Sequence, residues 1–172
     1  FSRFARLPIS RPVATSLHLL IEQTLDLYDG SMNAVKICKE FDSEINTVML
    51  DPEQMRRVFV NLIDNALDGM ADCEYDRTLT IATRLKPITG SVTVEFSDNG
   101  SGIALEDYDN LFFPYFSKKR KGTGLGLAIV QQIVNDHSGY VRAEPNQPSG
   151  MRFRIEIPLS QNLKKQDDRG LL

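Results

Sequence analysis

The sequence predicts a two-layer α/β (α+β) sandwich, with a mixed but mostly antiparallel sheet and helices on one face of it. Two observations carry this prediction. Apolar residues recur at helical spacing in three segments and alternate at strand spacing in several others. The order of these segments mixes the helices with strands that are mostly antiparallel neighbours.

One helix and two strands are predicted in the first fifty residues. Residues 14–28 carry apolar side chains at the spacing of a helix, including Leu17 and Ile21. Residues 35–39 alternate as a strand does, and residues 47–50 form a short second strand.

The second helix has the clearest start in the chain. Asp51 offers a side-chain acceptor at the N-cap, Pro52 stands at the first helical position, and Gln54 follows three residues after the cap. Apolar residues then recur every three or four positions as far as about Ala71. The helix is therefore predicted over residues 52–71.

The remainder of the chain is predicted to hold four strands and one helix. Residues 78–86 and 91–97 are predicted to pair as a hairpin around a turn that contains proline and glycine. A third helix is predicted over residues 124–135. The closing strands are predicted at residues 140–143 and 151–157.

Composition indicates one ordinary domain without a nucleic-acid role. Of the 172 residues, 41% are hydrophobic and 25% are charged, and the net charge of −3 offers no domain-wide basic surface. Two distant cysteines, Cys38 and Cys73, favour a reducing compartment. No apolar run approaches the roughly 18–20 residues of a membrane span. We therefore expect a cytoplasmic domain, even if the parent protein is anchored in the inner membrane.

Three parts are expected along the chain. It opens on Phe1 without a methionine and in mid-pattern, so we expect a piece of a longer protein. Residues 1–12 are expected to hold the end of a preceding helix, closed by prolines, and a linker. Residues 13–160 are expected to form the main domain, and residues 161–172 a flexible tail.

Two glycine clusters frame a segment that is first aromatic and then basic. The first cluster follows Asp98, and the second leads into the predicted third helix. Glycines let a backbone approach a ligand closely, and N–H groups at a helix start can hold phosphate. The basic run at residues 118–121 is either a mobile lid over such a ligand or a solvated loop. The glycine spacing fits neither a P-loop nor a dinucleotide fingerprint.

Polar residues of the second predicted helix form a candidate metal site. Asn61, Asn65 and Asp68 fall along one edge of its apolar stripe, although helices disfavour Asn. Either the two amides bond a neighbouring loop, or their carbonyl oxygens face a Mg²⁺ ion that is shared with nucleotide phosphates. Asp98, at a strand end, is either a turn-forming residue or an acceptor for an exocyclic amine such as adenine N6.

Four motifs occur in the order that a known family uses. They closely resemble the N, G1, F and G2 boxes of the GHKL (Bergerat) ATP-binding fold, in the form of bacterial sensor histidine kinases: Asn61–Ala66, Asp98–Ile103, Phe112–Phe116 and Gly122–Leu127. Gly150 looks like the final glycine box. The resemblance covers about residues 13–160. The opening and the short lid look like the nitrogen-regulation (NtrY/NtrB-like) branch, in which residues 1–12 would end the dimerisation domain.

The resemblance implies a role for each matching position. Asn65 would ligate Mg²⁺, with Asn61 assisting at the metal or phosphates, and Lys119 would reach phosphate; these three would be the catalytic residues. Asp98 would accept from the adenine amine. The base pocket, the lid over residues 104–123 and the phosphate cradle would supply the other nucleotide-binding positions: Asp68, Gly100, Gly102, Ile103, Phe116, Gly122, Thr123, Gly124, Leu125, Gly126 and Leu127.

The implied activity is transfer of the γ-phosphoryl group of Mg·ATP to a histidine. His18 and His137 are not followed by the residues that the family's acceptor histidine requires. The acceptor would therefore lie on a separate dimerisation domain, through which a response regulator would be the further partner. This chain alone would be a monomer.

Three positions depart from common forms of the family. Asp68 stands where many histidine kinases have Lys, Ser117 opens the sequence that is usually Thr-Thr-Lys, and Met151 follows the last glycine instead of Ser or Thr. Asp68 leaves the phosphate charge to be met more by the lid.

Two other classes of protein share such a site. One is a GHKL ATPase, but those enzymes resemble one another in a Glu where this chain has Asn61, which cannot act as a general base. The other is a nucleotide-dependent regulatory binding module, and serine-directed anti-sigma kinases lie between the two classes.

Overall fold

The computed structural model describes residues 6–32, 34–119 and 122–160, which form a sheet layer and a helix layer. The strands are β1 (Val13–Ser16), β2 (Val35–Glu40), β3 (Thr47–Leu50), β4 (Arg77–Lys86), β5 (Ser91–Asp98), β6 (Tyr140–Pro145) and β7 (Met151–Pro158). The helices are α1 (Leu17–Asp26), α2 (Pro52–Met70) and α3 (Gly126–Asp136), with a 3₁₀ helix at Leu105–Asn110.

Five strands form the main sheet in the order β2-β4-β5-β7-β6. β2 runs parallel to β4, and the other three pairs are antiparallel. β4 and β5 form the predicted hairpin, with Lys86 opposite Ser91 across the turn. β1 and β3 form a separate two-stranded antiparallel sheet. The predicted fold class, a two-layer sandwich with a mixed and mostly antiparallel sheet, is confirmed.

The core lies between one face of the main sheet and the helices. Val92, Val94 and Phe96 of β5 alternate into it, and the Phe96 ring lies 5.6 Å, centroid to centroid, from Phe59 of α2. On the opposite face of β5, Glu95 forms ion pairs with arginines of β7. This division fixes the strand register, because a slip of one residue would turn the apolar side chains out of the core.

Helix α2 begins where the sequence predicts and ends at Met70. Asp51 caps it, since its Oδ1 accepts the backbone N–H groups of Glu53 and Gln54 at 3.1 Å each. Its Oδ2 accepts the N–H of Arg11 at 2.8 Å. The buried His137, just after α3, accepts the N–H of Asp51 at Nε2 (2.9 Å). The start of α2 is thus held by two other parts of the chain, which fixes the helix that borders the functional cleft.

The first helix is shorter than predicted at both ends. Residues 14–16 were expected to be helical, but they belong to β1, which pairs with β3. Helix α1 starts after Ser16, whose side chain accepts the N–H of Leu19 as an N-cap. It ends at Asp26 rather than at Tyr28. Residues 14–16 pair with β3, more than thirty residues later in the chain, and this partner could not be identified from local spacing.

The third helix starts at Gly126 rather than Gly124. Gly124 has a φ of +71°, which lies in the left-handed region and outside a right-handed helix. The 3₁₀ helix at Leu105–Asn110 was not predicted. The expected helix end over residues 1–7 lies mostly outside the described residues, and Arg6 and Leu7 are not helical. The expected tail at 161–172 also lies outside them.

Not one helix among the described residues has both the length and the apolar character to cross a membrane.

Candidate functional site

A cleft of about 420 Å³ lies between α2, the end of β5 and the segment that leads into α3. Most of the predicted site residues line it. They are Asn61, Asn65, Asp68, Asp98, Gly102, Ile103, Phe116, Lys119, Gly122, Thr123, Gly124, Gly126 and Leu127. Gly100 and Leu125 lie beside the cleft rather than in its lining.

One wall of the cleft is the polar edge of α2. Asn61 donates from Nδ2 to the Arg57 carbonyl one turn earlier (2.9 Å), so its amide is oriented by its own helix. Its Oδ1 faces the start of α3, where a Cβ at Gly126 would lie 2.7 Å from it. Only a glycine therefore lets the first turn of α3 approach Asn61 this closely. Asp64 lines the same wall and accepts a hydrogen bond from Tyr28 (2.7 Å).

Lys119 crosses the cleft to the same edge of α2. Its ammonium lies 2.7 Å from Asn65 Oδ1 and 2.7 Å from Asp68 Oδ2. A carbonyl oxygen and a carboxylate oxygen thus converge on one cation. Oxygen donors of this kind are also those that Mg²⁺ prefers. The amide oxygen of Asn65 therefore fits a magnesium ion, which takes few ligands from a protein and shares the rest with phosphates and water.

The opposite end of the cleft contains a buried carboxylate. Asp98, at the end of β5, is 4% exposed. Its Oδ1 accepts the N–H groups of Gly100 (2.8 Å) and Met151 (3.3 Å). Burial raises the pKa of Asp98, and these two hydrogen bonds and the Lys119 charge oppose the shift only in part. Among the described residues both hydrogen bonds end on Oδ1, which leaves Oδ2 for a ligand.

Three backbone segments pack tightly around Asp98. A Cβ at Gly150 would lie 2.1 Å from the Asp98 carbonyl oxygen, and Gly150 has a φ of +101°. A Cβ at Gly100 would lie 2.4 Å from the carbonyl oxygen of Gly69 in α2. Glycine is required at both positions, because any side chain would push α2 or β7 away from the end of β5. This end of the cleft is therefore fixed by main-chain packing.

The segment between the glycine clusters folds over the third side. Phe112 packs edge-on against Phe153, with ring centroids 6.4 Å apart. Lys118 pairs with Asp107 of the 3₁₀ helix at 3.1 Å. Lys118 and Lys119 thus each form an ion pair; the other two residues of the basic run lie outside the described residues.

Sequence reasoning did not single out several residues of the lining. Gly69, Asp64 and Asp107 line the cleft, and the N–H of Met151, a residue noted in the sequence only as a departure from the family, reaches Asp98. Position on α2 could have identified Asp64, since it is one turn from Asn61 and adjacent to Asn65. The others depend on contacts between distant parts of the chain.

The fold and the cleft point to an ATP-binding domain, because a helix with paired Asn and glycine-flanked loops bound the cleft. The family match confirms this class. Residues 50–161 match the family described as histidine kinase-, DNA gyrase B- and HSP90-like ATPase, and the chain belongs to that family. Within it, the chain is the catalytic ATPase domain of a sensor histidine kinase.

Individual relatives agree with this assignment. Sensor histidine kinase ZraS of Escherichia coli (strain K12) is 30% identical over 159 residues, which cover 91% of this chain and 33% of ZraS. Sensory histidine kinase/phosphatase NtrB of Vibrio alginolyticus is 30% identical over 153 residues, 84% of this chain and 43% of NtrB. The chain thus spans less than half the length of these relatives. The match to NtrB is the basis for any link to nitrogen regulation.

Solved structures have the same fold. The nucleotide-free catalytic domain of histidine kinase ThkA matches with a TM-score of 0.76 and 28% identity, covering 87% of this chain and 96% of that one. A structure of ThkA in complex with the response regulator protein TrrA matches with a TM-score of 0.79 at 22% identity, over 94% of this chain and 46% of that one.

Proposed function

We propose that this domain binds Mg·ATP in the cleft and transfers the γ-phosphoryl group to a histidine on a separate dimerisation domain. The observation that carries the proposal is that the two ends of one cleft carry chemically different groups. A buried carboxylate with one free oxygen lies at one end, and amide and carboxylate oxygens gathered around a cation lie at the other. The first end suits an adenine amine, and the second suits a metal and phosphates.

In this proposal Asp98 selects the base. Its Oδ2 accepts the exocyclic amine of adenine, while the N–H groups of Gly100 and Met151 hold the carboxylate in place through Oδ1. Gly102 and Ile103 line the base pocket beside it. The carboxylate acts as an acceptor only, which excludes a base that presents an oxygen at the same position.

At the other end, residues of α2 and of the lid segment hold the polyphosphate. Asn65 would hold Mg²⁺ through Oδ1, with Asn61 assisting, and Lys119 would turn its ammonium to the phosphates. Mg²⁺, when bound, neutralises phosphate charge. The N–H groups at the start of α3, from Gly124 to Gly126, hold phosphate oxygens at the positive end of the helix.

The transfer needs little covalent chemistry from this chain. The bond between the γ-phosphorus and the β–γ bridging oxygen breaks, a bond from phosphorus to an imidazole nitrogen of the acceptor forms, and ADP leaves. The domain contributes positioning and charge neutralisation. Asn61 cannot take a proton from water, because an amide has no basic site, so hydrolysis is not assisted.

The proposal also covers the partners of this domain and its place in the cell. We place the histidine on a dimerisation domain of the parent protein and a response regulator downstream of it, with this domain in the cytoplasm. The support comes from relatives that are named sensor histidine kinases and from the ThkA structure with its response regulator.

A transfer assay tests this function. Alone with ATP labelled on the γ-phosphate, the chain should neither label itself nor release phosphate appreciably. Mixed with the dimerisation domain of its parent, it should label a histidine there slowly, because the unlinked domains lose the high local concentration that linkage supplies. The product should be acid-labile and alkali-stable. Brisk phosphate release would favour an ATPase, an acid-stable product a serine kinase, and nucleotide binding without transfer a regulatory module.

A further inference from the structure

We propose that Lys119 forms a latch across the cleft, and that Mg·ATP can bind fully only when this latch opens. The latch consists of Lys119 Nζ with Asn65 Oδ1 and Asp68 Oδ2, each at 2.7 Å. This inference rests on the proposed function, because it assigns the ligand that opens the latch.

The latch joins two separate parts of the fold. Lys119 belongs to the segment after the 3₁₀ helix, and its partners lie on α2, more than fifty residues earlier in the chain. The backbone at Lys119 is itself held, since its N–H donates to Ser117 Oγ at 3.1 Å. Lys118, its neighbour, pairs within its own segment, with Asp107. Among the described residues, Lys119 alone forms an ion pair between this segment and α2.

The atoms of the latch are those that the ligand needs. Asn65 Oδ1, which we assign to the metal, is occupied by the ammonium, and the same ammonium is the phosphate-binding cation of the proposed loaded state. Both assignments cannot hold at once, because a lysine at 2.7 Å and a metal ion would compete for one oxygen. Binding would therefore require the ammonium to leave α2 for the phosphates, and Asn65 Oδ1 would then be available to hold the metal.

Asp68 gives the latch its second function. Once the ammonium has moved, its carboxylate faces the polyphosphate uncompensated, so it opposes a nucleotide without metal more than one with metal. The side chains of Lys119 and Asp68 are 40% and 58% exposed. An exposed pair of this kind contributes little free energy. The latch is consequently weak enough for the ligand to open it.

The variant Asp68→Asn tests the latch, with Asp64→Asn as its matched control. Both remove one carboxylate from the cleft wall of α2, but Asp64 pairs with Tyr28 and not with Lys119. In the protein without nucleotide, hydrogen exchange over residues 104–119 should become faster in Asp68→Asn. It should stay at the wild-type rate in Asp64→Asn. Lys119→Met should reproduce the faster exchange.

Nucleotide binding supplies the second measurement. Stopped-flow binding of a fluorescent ATP analogue with Mg²⁺ should show an association rate about two- to five-fold higher in Asp68→Asn, the range expected for loss of an exposed pair. The dissociation rate should not rise, because the latch is open in the complex and loss of the Asp68 charge there only relieves repulsion of the phosphates. Without Mg²⁺ the affinity should rise by more than it does with Mg²⁺.

Two outcomes would overturn the latch. Equal lid exchange in the wild type and Asp68→Asn would mean that the contact does not hold the segment. A faster dissociation of the Mg²⁺ complex in Asp68→Asn would make Asp68 a ligand of the loaded state instead. Failure of the proposed function looks different: the wild type would bind no nucleotide, while the exchange experiment on the empty protein would still report on the contact.

Discussion

The substitution Asp98→Asn tests the assignment of the adenine pocket most directly. Asp98 is almost fully buried, and both of its backbone donors, from Gly100 and Met151, end on Oδ1. In the variant these two N–H groups should select the amide oxygen for the Oδ1 position. The NH₂ group must then point into the cleft. A group that accepts a hydrogen bond from adenine is thereby replaced by one that donates.

The size of the effect follows from this reversal. Two donors would meet in a buried pocket, and a buried polar group without its partner costs about 1–3 kcal/mol. ATP affinity should therefore fall by about 5- to 150-fold. An inosine nucleotide, whose base presents an oxygen at the same position, should gain affinity, because the variant can donate to that oxygen. The preference for ATP over inosine triphosphate should shrink or invert.

The pH dependence of ATP affinity and of stability tests the same carboxylate independently. Burial raises the pKa of Asp98 above the usual value for an aspartate. ATP affinity of the wild type should therefore decline as pH falls through that raised pKa, since the protonated group no longer offers a free carboxylate. The contribution of Asp98 to the free energy of unfolding depends on pH in the opposite direction from ATP affinity. It is complete below the ordinary carboxyl pKa and is lost as pH rises through the raised pKa. Asp98→Asn should thus gain stability relative to wild type over that interval.

Isothermal titration calorimetry with ATP and inosine triphosphate, on the wild type and the variant, measures the selectivity. Asp64→Asn is the control, because it removes a carboxylate from the same cleft at the other end and should leave the ratio of the two affinities unchanged. Urea unfolding shows whether Asp98→Asn remains folded. An unchanged ratio in a folded Asp98→Asn protein would refute the assignment and move the base pocket elsewhere.

Three further substitutions test the metal site and the supports of the cleft. Asn65→Ala should weaken Mg·ATP binding far more than metal-free ATP binding, and equal losses in calorimetry would contradict a role at the metal. Gly150→Ala should cost about 2–4 kcal/mol in urea unfolding, because its Cβ would lie 2.1 Å from the Asp98 carbonyl oxygen at a φ of +101°; a cost below about 0.5 kcal/mol, the size of an ordinary surface substitution, would show that the backbone relaxes. His137→Ala should cost about 2–5 kcal/mol, since it removes a buried ring and leaves the buried Asp51 N–H without the acceptor that the ring supplies; retention of wild-type stability would show that water replaces the ring.

Local signals explain why the sequence predicted α2 and the hairpin so well. The N-cap Asp51, the proline after it and the regular apolar spacing all lie within the helix itself. The β4–β5 hairpin likewise depends on a short turn between two alternating segments. By contrast, residues 14–16 were included in a helix whose apolar spacing starts at Leu17, whereas they belong to a strand that pairs with β3. Partners distant in the sequence cannot be read from local periodicity.

The same distinction holds for the candidate site. Ordered motifs predicted which residues would meet, and most of them do line one cleft. The motifs could not show how those residues contact one another. The bond from the Met151 N–H to Asp98 spans 53 residues of chain, and the bonds of Lys119 to Asn65 and Asp68 span 54 and 51. Each depends on the packing of segments that become neighbours only in the folded sheet.

Main-chain packing holds one end of the cleft and side-chain contacts hold the other. We therefore expect the two ends to act at different stages of nucleotide binding. The base end is set by main-chain packing of β5, α2 and β7, in which Gly100 and Gly150 leave no room for movement. The phosphate end is held by exposed side chains, Lys119 and Asp68, whose contact is weak and reversible. In the proposed function, a pocket fixed by backbone would recognise adenine without any change at the phosphate end. The proposed exchange of lysine for metal would then follow at the phosphate end, so recognition of the base and arrangement of the phosphates would be separate steps in one site.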